Sequence, residues 1–244
     1  MGPYVGISGI MSPQEVIPLL ECVPHGSERK LSIGVLVGTE TLNPSQYRAR
    51  ELYPPAEGIK SIFSSDPRAL NVLHLSTLDP EGLLLEIDAA VHYGLPFYHA
   101  IQINTPWPSP SVLLAAKEHY RSLKIIIQLC GGAIEQAGGT ARGVVDRLYR
   151  YPEGIIDTVL FDESRGKGLI LDALKASEYL GAIRIALPKI SLGVAGGLER
   201  RNLGCILGLA RDFPGLSIDA QGHVRDEESR TGYLLEAFHL LGNS

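Results

Sequence analysis

The chain has 244 residues, of which 45% are hydrophobic and 20% are charged, and its formal net charge is −5. This composition is that of a globular protein and excludes intrinsic disorder and collagen-like order. The acidic balance argues against a nucleic-acid-binding surface, which needs a basic stripe, and no apolar run reaches the roughly 18 residues of a membrane span. We therefore expect neither nucleic acid nor a membrane as a partner.

The three cysteines, Cys22, Cys130 and Cys205, are far apart in the chain and form no C-x-x-C pair. An odd and sparse cysteine count fits neither a disulfide framework nor a zinc site. The first residues, Met1–Glu15, lack the basic region of a signal peptide. We expect a cytoplasmic protein with reduced thiols and with no bound metal or cofactor.

Short apolar runs alternate with helical stretches along the chain. The predicted strands are Tyr4–Ile10, Ser32–Gly38, Asn71–Thr77, Tyr98–Asn104, Lys124–Leu129, Asp157–Asp162, Lys189–Ala195 and Leu216–Ala220. The predicted helices are Pro13–Cys22, Glu81–His92, Ser111–Leu123, Ala141–Tyr149, Leu169–Leu180, Arg201–Arg211 and Thr231–Leu241. Continuous apolar strands alternating with helices are typical of parallel sheets covered on both faces. About eight such units predict an α/β protein with a single (β/α)8 TIM barrel over residues 1–244, and the alternative is an open doubly wound sheet.

The connection between the second and third predicted strands, residues 39–70, is unusually long. A connection of this length is expected to contain a helix of its own or to act as a lid. It follows the C-terminal end of a strand, so it belongs to the barrel face on which active sites form. Two of its three arginines, Arg48 and Arg50, are candidate substrate-binding residues on the family resemblance given below.

Polar side chains stand at the C-terminal ends of the predicted strands. They are Ser8, Gln102, Asn104, Gln128, Cys130, Asp162 and Asp219. The two carboxylates are candidate catalytic groups, and the two glutamines, the asparagine and the cysteine are candidate substrate-binding groups. Lys124 and Lys189 begin their strands at the opposite face, which disfavours a Schiff-base aldolase. No histidine pair has metal-binding spacing, and His74 is interpreted as a hydrogen-bonded residue of the barrel interior.

Glycines follow three of the later strands. The group comprises Gly166 and Lys167 after the sixth strand, Gly196 and Gly197 after the seventh, and Gly222 and His223 after the eighth. Glycine lets a backbone approach a ligand closely, and the loops after strands seven and eight are the recurrent phosphate site of this fold. The helix expected from Arg201 adds N–H groups that favour an anion. The group predicts a phosphate site, and the alternative is that these glycines only form tight turns.

Together these motifs resemble those of the phosphoribosylanthranilate isomerase family, single-domain (β/α)8 enzymes of tryptophan biosynthesis. Five motifs of the family have counterparts in this chain. V-K-I-C-G-I corresponds to V-G-I-S-G-I at 5–10, Q-L-H-G to Q-I-N-T at 102–105, L-L-D-S to V-L-F-D-E-S at 159–164, L-A-G-G-L to V-A-G-G-L at 194–198, and D-x-S-S-G to D-A-Q-G at 219–222. The asparagine that follows the fourth of these motifs in the family is matched by Asn202. The resemblance covers the chain in order and is strongest in its last third.

The resemblance implies an Amadori rearrangement, in which an aspartic acid protonates the sugar ring oxygen and a cysteine thiolate removes the proton from C2′. Asp162 matches the acid. Ser8 stands in place of the cysteine, and a serine hydroxyl is too weakly acidic to act as an unassisted base near pH 7. No neighbouring histidine motif suggests that Ser8 is activated. Asp219 is the best substitute base, because a desolvated carboxylate opposite Asp162 has its pKa raised; Cys130 is the weaker substitute, and Ser8 would position substrate.

Three hypotheses follow from these matches and departures. In the first, the protein is a divergent isomerase-like barrel that binds a small phosphorylated sugar or phosphoribosyl ligand. In the second, it is a non-catalytic phosphate-binding or scaffold relative that has lost the catalytic base. In the third, it is an ordinary isomerase whose missing arginine clamp for the anthranilate carboxylate is rebuilt from Arg48 or Arg50. The sequence carries no signal for the oligomeric state.

Overall fold

In the computed structural model the chain forms a closed barrel of parallel strands, and the structure describes residues 1–43, 45, 47–77, 79–162 and 169–242. The strands of these residues are β1 (Tyr4–Ser8), β2 (Lys30–Gly38), β3 (Ala69–Ser76), β4 (Ala100–Ile103), β5 (Lys124–Cys130), β6 (Thr158–Asp162), β7 (Ser191–Ala195) and β8 (Ser217–Ala220). Each strand pairs with the next, and β8 pairs with β1, where Ile218 lies opposite Val5. The predicted (β/α)8 barrel is confirmed. The open sheet is wrong, because the last strand returns to the first.

Helices connect the strands on the outside of the barrel. In the described residues they are α1 (Pro13–Glu21), α2 (Thr39–Leu42), α3 (Ile59–Ile62), α4 (Leu83–Gly94), α5 (Pro110–His119), α6 (Gly131–Gln136), α7 (Ala141–Leu148), α8 (Ala173–Ala186), α9 (Leu207–Asp212) and α10 (Glu227–Leu241). Turns of 3-10 helix span Ala56–Gly58 and Leu203–Ile206. None of the helices in this part of the chain is both long and apolar enough to cross a membrane.

Capping side chains explain where two helices depart from the predicted bounds. α8 begins later than the predicted helix 169–180, because the Asp172 carboxylate accepts hydrogen bonds from N–H groups of the first turn. α10 begins earlier than the predicted helix 231–241, because Asp226 caps its first turn in the same way. The predicted helix 201–211 is divided into a 3-10 turn followed by α9.

Alternate side chains of each strand point into the barrel and toward the surrounding helices. The inward group forms one apolar cluster, made of Tyr4, Leu70, Val72, Ala100, Ile126, Leu160 and Ala195. The outward group, with Val5, Ile33 and Ile127 among its members, packs against the helices in a second and larger cluster. Both faces of the strands are therefore covered, which explains their continuous apolar sequences. The inward cluster closes the barrel interior beneath the polar strand ends.

Residues 39–70 contain α2, a 3-10 turn and α3, so the long connection has short helices of its own. Two contacts join it to the C-terminal face of the barrel. The Leu52 side chain packs on Gly9, where an added Cβ would lie 3.2 Å from Leu52 Cδ2. Glu51 forms an ion pair of 2.9 Å with Arg225, in the loop between β8 and α10. The connection thus reaches the loops after both β1 and β8.

Candidate active site

A cavity of about 550 Å³ opens at the C-terminal ends of the strands. Among the described residues its polar lining is His74, Ser76, Gln102, Asn104, Gln128, Cys130, Asp162, Asp219 and Gln221, with Gly196, Gly197 and Gly222 from the loops. Leu36, Tyr53, Gly132, Leu160, Ala195 and Ala220 complete it. The barrel top is therefore an open polar cavity on the face that carries active sites in this fold.

Asp162 ends β6 and is largely buried at the edge of the cavity. Its Oδ2 accepts a hydrogen bond of 2.6 Å from Nε2 of Gln128 on the adjacent β5. The register of the two strands sets Cys130 beside Asp162. The neighbouring strand thus supplies the amide that orients this carboxyl group.

Asp219 of β8 lines the same cavity and is held by Ser8 of β1. The Ser8 Oγ lies 2.9 Å from Asp219 Oδ2 and 3.1 Å from Oδ1, so the hydroxyl donates to the carboxylate. Ser8 is only 2% exposed and is not among the residues that line the cavity. Its hydroxyl therefore contacts the candidate base from beneath the cavity floor.

Two glycines leave the space that this buried pair occupies. A Cβ on Gly6 would lie 2.6 Å from Asp219 Oδ1. A Cβ on Gly34 would lie 2.7 Å from Ser8 Oγ and 2.8 Å from His74 Nε2. Side-chain carbons do not approach neighbouring atoms this closely, so the polar cluster requires glycine on both strands.

His74 of β3 belongs to the cluster, although the sequence assigned it only to the barrel interior. Its ring nitrogens both lie 3.4 Å from Ser8 Oγ, and its Nε2 lies 4.0 Å from Asp219 Oδ2. Burial lowers the pKa of His74 to about 3, so the ring is neutral near pH 7 and the contact with Asp219 is not an ion pair. Sequence reasoning found no histidine beside Ser8, because 66 residues separate the two and the strand order brings them together.

The environment of Asp219 favours its protonated form. Burial, followed by the negative charge of Asp162, raises the pKa of Asp219 to about 7, against the opposing hydrogen bond from Ser8. The direction is the one expected from the sequence. A carboxylate with a pKa near 7 is a stronger base than an exposed aspartate, and it is substantially ionised at neutral pH.

The loop after β7 is shaped by glycine. Gly196 and Gly197 have φ values of 117° and 54°, a backbone region that favours glycine over other residues. The Asn202 Nδ2 donates a hydrogen bond of 2.7 Å to the Gly197 carbonyl and so fixes the loop. The helical turn that follows begins at Leu203, so the predicted helix N-terminus lies farther along the chain than expected.

The remaining predicted phosphate-binding residues divide into three groups. Gly222 lines the cavity, and its carbonyl accepts a hydrogen bond of 3.0 Å from Arg225 Nε. His223 is exposed and is not a cavity-lining residue. Gly166 and Lys167 lie outside the described residues. The described part of the predicted phosphate site therefore consists of glycine backbone.

The predicted arginine clamp is not part of the described cavity wall. Arg50 lies 3.5 Å from Glu40 and stacks 4.7 Å above the ring of Tyr53, while Arg48 is exposed and donates to the carbonyl of Tyr47. Tyr53 itself lines the cavity. Sequence reasoning missed this tyrosine, since nothing in the pattern of residues 39–70 distinguishes it from its neighbours.

No cluster of three or more histidine, cysteine, aspartate or glutamate side chains in the described ranges is arranged to hold a metal ion. The described lining of the cavity includes two carboxyl groups, four carboxamides and glycine loops, which are groups that can exchange protons or form hydrogen bonds with a ligand.

No protein-family model matches the chain, and no curated protein sequence matches it significantly. Solved structures match it over nearly its whole length. A native KDPGal structure has 13% identity and a TM-score of 0.55, covering 99% of this chain and 95% of its own. Thiamine phosphate pyrophosphorylase from Pyrococcus furiosus has 13% identity and a TM-score of 0.55, with 99% and 96% covered.

Octameric ribulose-1,5-bisphosphate carboxylase/oxygenase from Pyrococcus horikoshii has 12% identity and a TM-score of 0.60, covering 99% of this chain. This chain spans only 59% of that longer protein. Identities this low establish a common fold and no more. Together with the closed strand order, these similarities show that the chain has the (β/α)8-barrel fold.

Proposed function

We propose that the protein is an isomerase-like enzyme that carries out an aldose–ketose, Amadori-type rearrangement of a phosphorylated sugar or phosphoribosyl compound. One observation carries the proposal. Two buried carboxyl groups, Asp162 and Asp219, line the same cavity as the glycine loops at Gly196, Gly197 and Gly222. Carboxyl groups in different environments can divide the roles of acid and base between them.

In this proposal Asp162 is the general acid and Asp219 the general base, so the reactive form of the coupled pair holds its proton on Asp162 and its negative charge on Asp219. The substrate of such a rearrangement carries a nitrogen on C1 of the sugar ring. Asp162 gives its proton to the ring oxygen, and the bond from that oxygen to C1 breaks as the lone pair of the nitrogen forms a C1=N iminium. The Asp219 carboxylate takes the proton from C2, whose electron pair forms C1=C2 while the iminium pair returns to nitrogen. Asp219 then returns its proton to C1, and the O2 hydroxyl gives its proton back to Asp162, which leaves a ketone at C2.

The base differs from the family's thiolate. The pKa of Asp219, raised to about 7, suits a carboxylate that must remove a proton from carbon near neutral pH. The hydroxyl of Ser8, at the position of the family's cysteine, donates to that carboxylate and stabilises its ionised form. Ser8 then supports the base instead of acting as one.

The glycine loops are the proposed phosphate cradle. Gly196 and Gly197 line the cavity and have no side chain, so a phosphate can approach their main chain closely. Two of the similar structures are named for phosphate compounds, thiamine phosphate and ribulose-1,5-bisphosphate, and the second is also known as a sulfate complex. These names support a phosphate ligand at the level of the fold.

Turnover of phosphoribosylanthranilate by the purified protein is the first test, with product measured by liquid chromatography. We expect turnover that Asp162→Asn and Asp219→Asn each reduce by roughly 10²- to 10⁴-fold, the contribution of one acid or base. Glu118→Gln on α5, outside the cavity, is the control and should leave the rate unchanged.

The third hypothesis, the ordinary isomerase, also predicts the effect of a substitution at Ser8. If the family's chemistry is intact, Ser8→Cys restores the thiol and should raise the rate. No turnover in either form would remove the ordinary isomerase. If inorganic phosphate and ribose 5-phosphate also fail to bind, the enzyme proposal fails with it. Phosphate binding without turnover of any phosphorylated sugar would instead favour the non-catalytic relative.

A further inference from the structure

Gln102 of β4 has a buried acceptor that no described residue satisfies. The side chain is 3% exposed and belongs to the cavity wall, and its Oε1 has no hydrogen-bond partner in the described structure. Its Nε2 is engaged, since it donates to Asn104 Oδ1 at 3.1 Å. A buried carbonyl oxygen without a donor is unfavourable, and a donor supplied by a ligand would relieve it.

The other polar groups of the wall narrow the class of ligand. The Asp219 carboxylate, when it acts as a base, only accepts hydrogen bonds, and so does the carbonyl oxygen of Gln102. A ligand held between them must supply donors, and a sugar hydroxyl is both a donor and an acceptor. The terminal torsion of glutamine is soft, so a hydroxyl in the cavity can draw Oε1 toward itself from the floor.

The strand order indicates which hydroxyl of a sugar Gln102 can contact. In the closed ring β1 to β8, β4 lies directly across the barrel from β8, so Gln102 and Asp219 face the cavity from opposite walls. The carbon that loses its proton to Asp219 bears its hydrogen and its hydroxyl on different tetrahedral corners. With the hydrogen directed at Asp219, the other three substituents, the hydroxyl among them, are directed away from β8, where Gln102 is the unsatisfied acceptor.

We infer that Gln102 Oε1 accepts a hydrogen bond from the hydroxyl of the carbon that Asp219 deprotonates, so that the site selects sugars carrying a 2-hydroxyl group. This inference rests on the proposed function, since it takes Asp219 as the base. Gln128 and Asp162 follow on β5 and β6, so the oriented hydroxyl lies on the side of the acid that receives its proton. Gln102 is thereby a specificity-determining residue for that reaction.

The test compares ribose 5-phosphate with 2-deoxyribose 5-phosphate, which lacks only that hydroxyl, by isothermal titration calorimetry on the whole protein. We expect the wild-type protein to bind the 2-deoxy compound roughly tenfold more weakly, the factor supplied by one neutral hydrogen bond. This comparison needs no variant and so does not depend on how a substitution affects folding.

Gln102→Met keeps the length of the side chain and removes the acceptor. It should lower the affinity for ribose 5-phosphate to that for the 2-deoxy compound and leave the latter unchanged. Gln136→Met is the matched control, because it makes the same change at an exposed side chain that does not line the cavity. It should preserve the tenfold preference.

Each other outcome contradicts the inference. Equal binding of the two sugar phosphates by the wild-type protein overturns it while leaving the proposed function standing. A preference that persists in Gln102→Met assigns the hydroxyl to another residue and also overturns it. If neither compound binds, and inorganic phosphate does not bind either, the proposed function fails and the inference fails with it.

Discussion

The buried position of Asp219, which makes its carboxylate a useful base, also lowers the stability of the folded protein. It is surrounded by the neutral ring of His74, the carboxyl of Asp162 and the buried hydroxyls of Tyr4 and Tyr233, whose pKa values are raised by burial and by Asp219 itself. None of these groups supplies a positive charge. The ionised form of Asp219 is therefore destabilised in the folded protein.

Replacing Asp219 by Asn should stabilise the fold in a pH-dependent way. The folded-state pKa of about 7 exceeds the ordinary value of 3.8, so between these values the folded state holds a proton that the unfolded state has lost. The wild-type stability then falls as pH rises through this window and levels off above it. Asp219→Asn should gain on the order of 4 kcal/mol at pH 8 and little at pH 4, measured by guanidinium denaturation. An equal gain at both values contradicts the raised pKa.

The same ionisation should govern the rate. Because the base must be ionised, kcat/KM should rise with pH on the acid side of its profile, with a midpoint near 7, the pKa of Asp219. Ser8→Ala removes the hydrogen bond that stabilises the Asp219 carboxylate, so the midpoint of the rise in kcat/KM should move to higher pH. A rate profile between pH 5 and 9 measures both. An unchanged midpoint in Ser8→Ala would contradict the role of Ser8 in stabilising the base.

Among the strands, β2 carries glycine at position 34, where the side chains of Ser8 and His74 need the space. Gly34→Ala sets a Cβ within 2.9 Å of Ser8 Oγ, Ser8 Cα and His74 Nε2, one of them a backbone atom that cannot turn aside. We expect a loss of roughly 1–3 kcal/mol in the free energy of unfolding, measured by chemical denaturation. Gly204→Ala, which meets nothing within 4 Å, is the control and should be neutral. Equal effects would show that the polar cluster does not need the glycine.

α10 is tied to the loops at the active-site face by one buried arginine. Arg230 is 4% exposed, pairs with Glu15 of α1, and donates to the carbonyls of Val224 and Gly9 at 3.2 and 3.1 Å. Its removal leaves three acceptors unpaired. The loops after β1 and β8 therefore depend on this side chain for their positions.

Arg230→Ala should cost roughly 1.5–3 kcal/mol, the range for losing hydrogen bonds to a charged group, since Glu15 itself is 30% exposed. Arg225→Ala is the matched control, because its ion pair with Glu51 is exposed and should change stability by less than about 1 kcal/mol. Urea denaturation of both variants gives the comparison. Similar losses would mean that burial does not distinguish the two arginines.

Over the whole molecule, strand pairing and packing close the barrel without a disulfide bond. Cys22, Cys130 and Cys205 are all unpaired thiols. Thermal unfolding should therefore have the same midpoint with and without a reducing agent, measured by circular dichroism at one pH. A midpoint that falls on reduction would reveal a covalent link that the fold does not contain.

Much of this architecture could be predicted from the sequence, because local patterns specify it. Strands buried on both faces appear as continuous apolar runs, and their alternation with helices leaves few arrangements besides a parallel barrel. Helix bounds were less accurate, since caps such as Asp172 and Asp226 act outside the periodic pattern. The short helices within residues 39–70 were not located, because four-residue helices carry too little periodicity to be recognised.

The barrel, the polar strand ends and the glycine loops can be predicted from the chain alone, because each depends on residue type at a position along one strand or turn. Which of these groups meet depends on the folded arrangement of the strands. It joined Ser8, His74 and Asp219 from β1, β3 and β8, added Tyr53 from the long connection, and left Arg48 and Arg50 outside the cavity wall. The reason is that barrel closure brings together strands more than 200 residues apart, and burial, which sets the pKa of Asp219, exists only once those strands have closed.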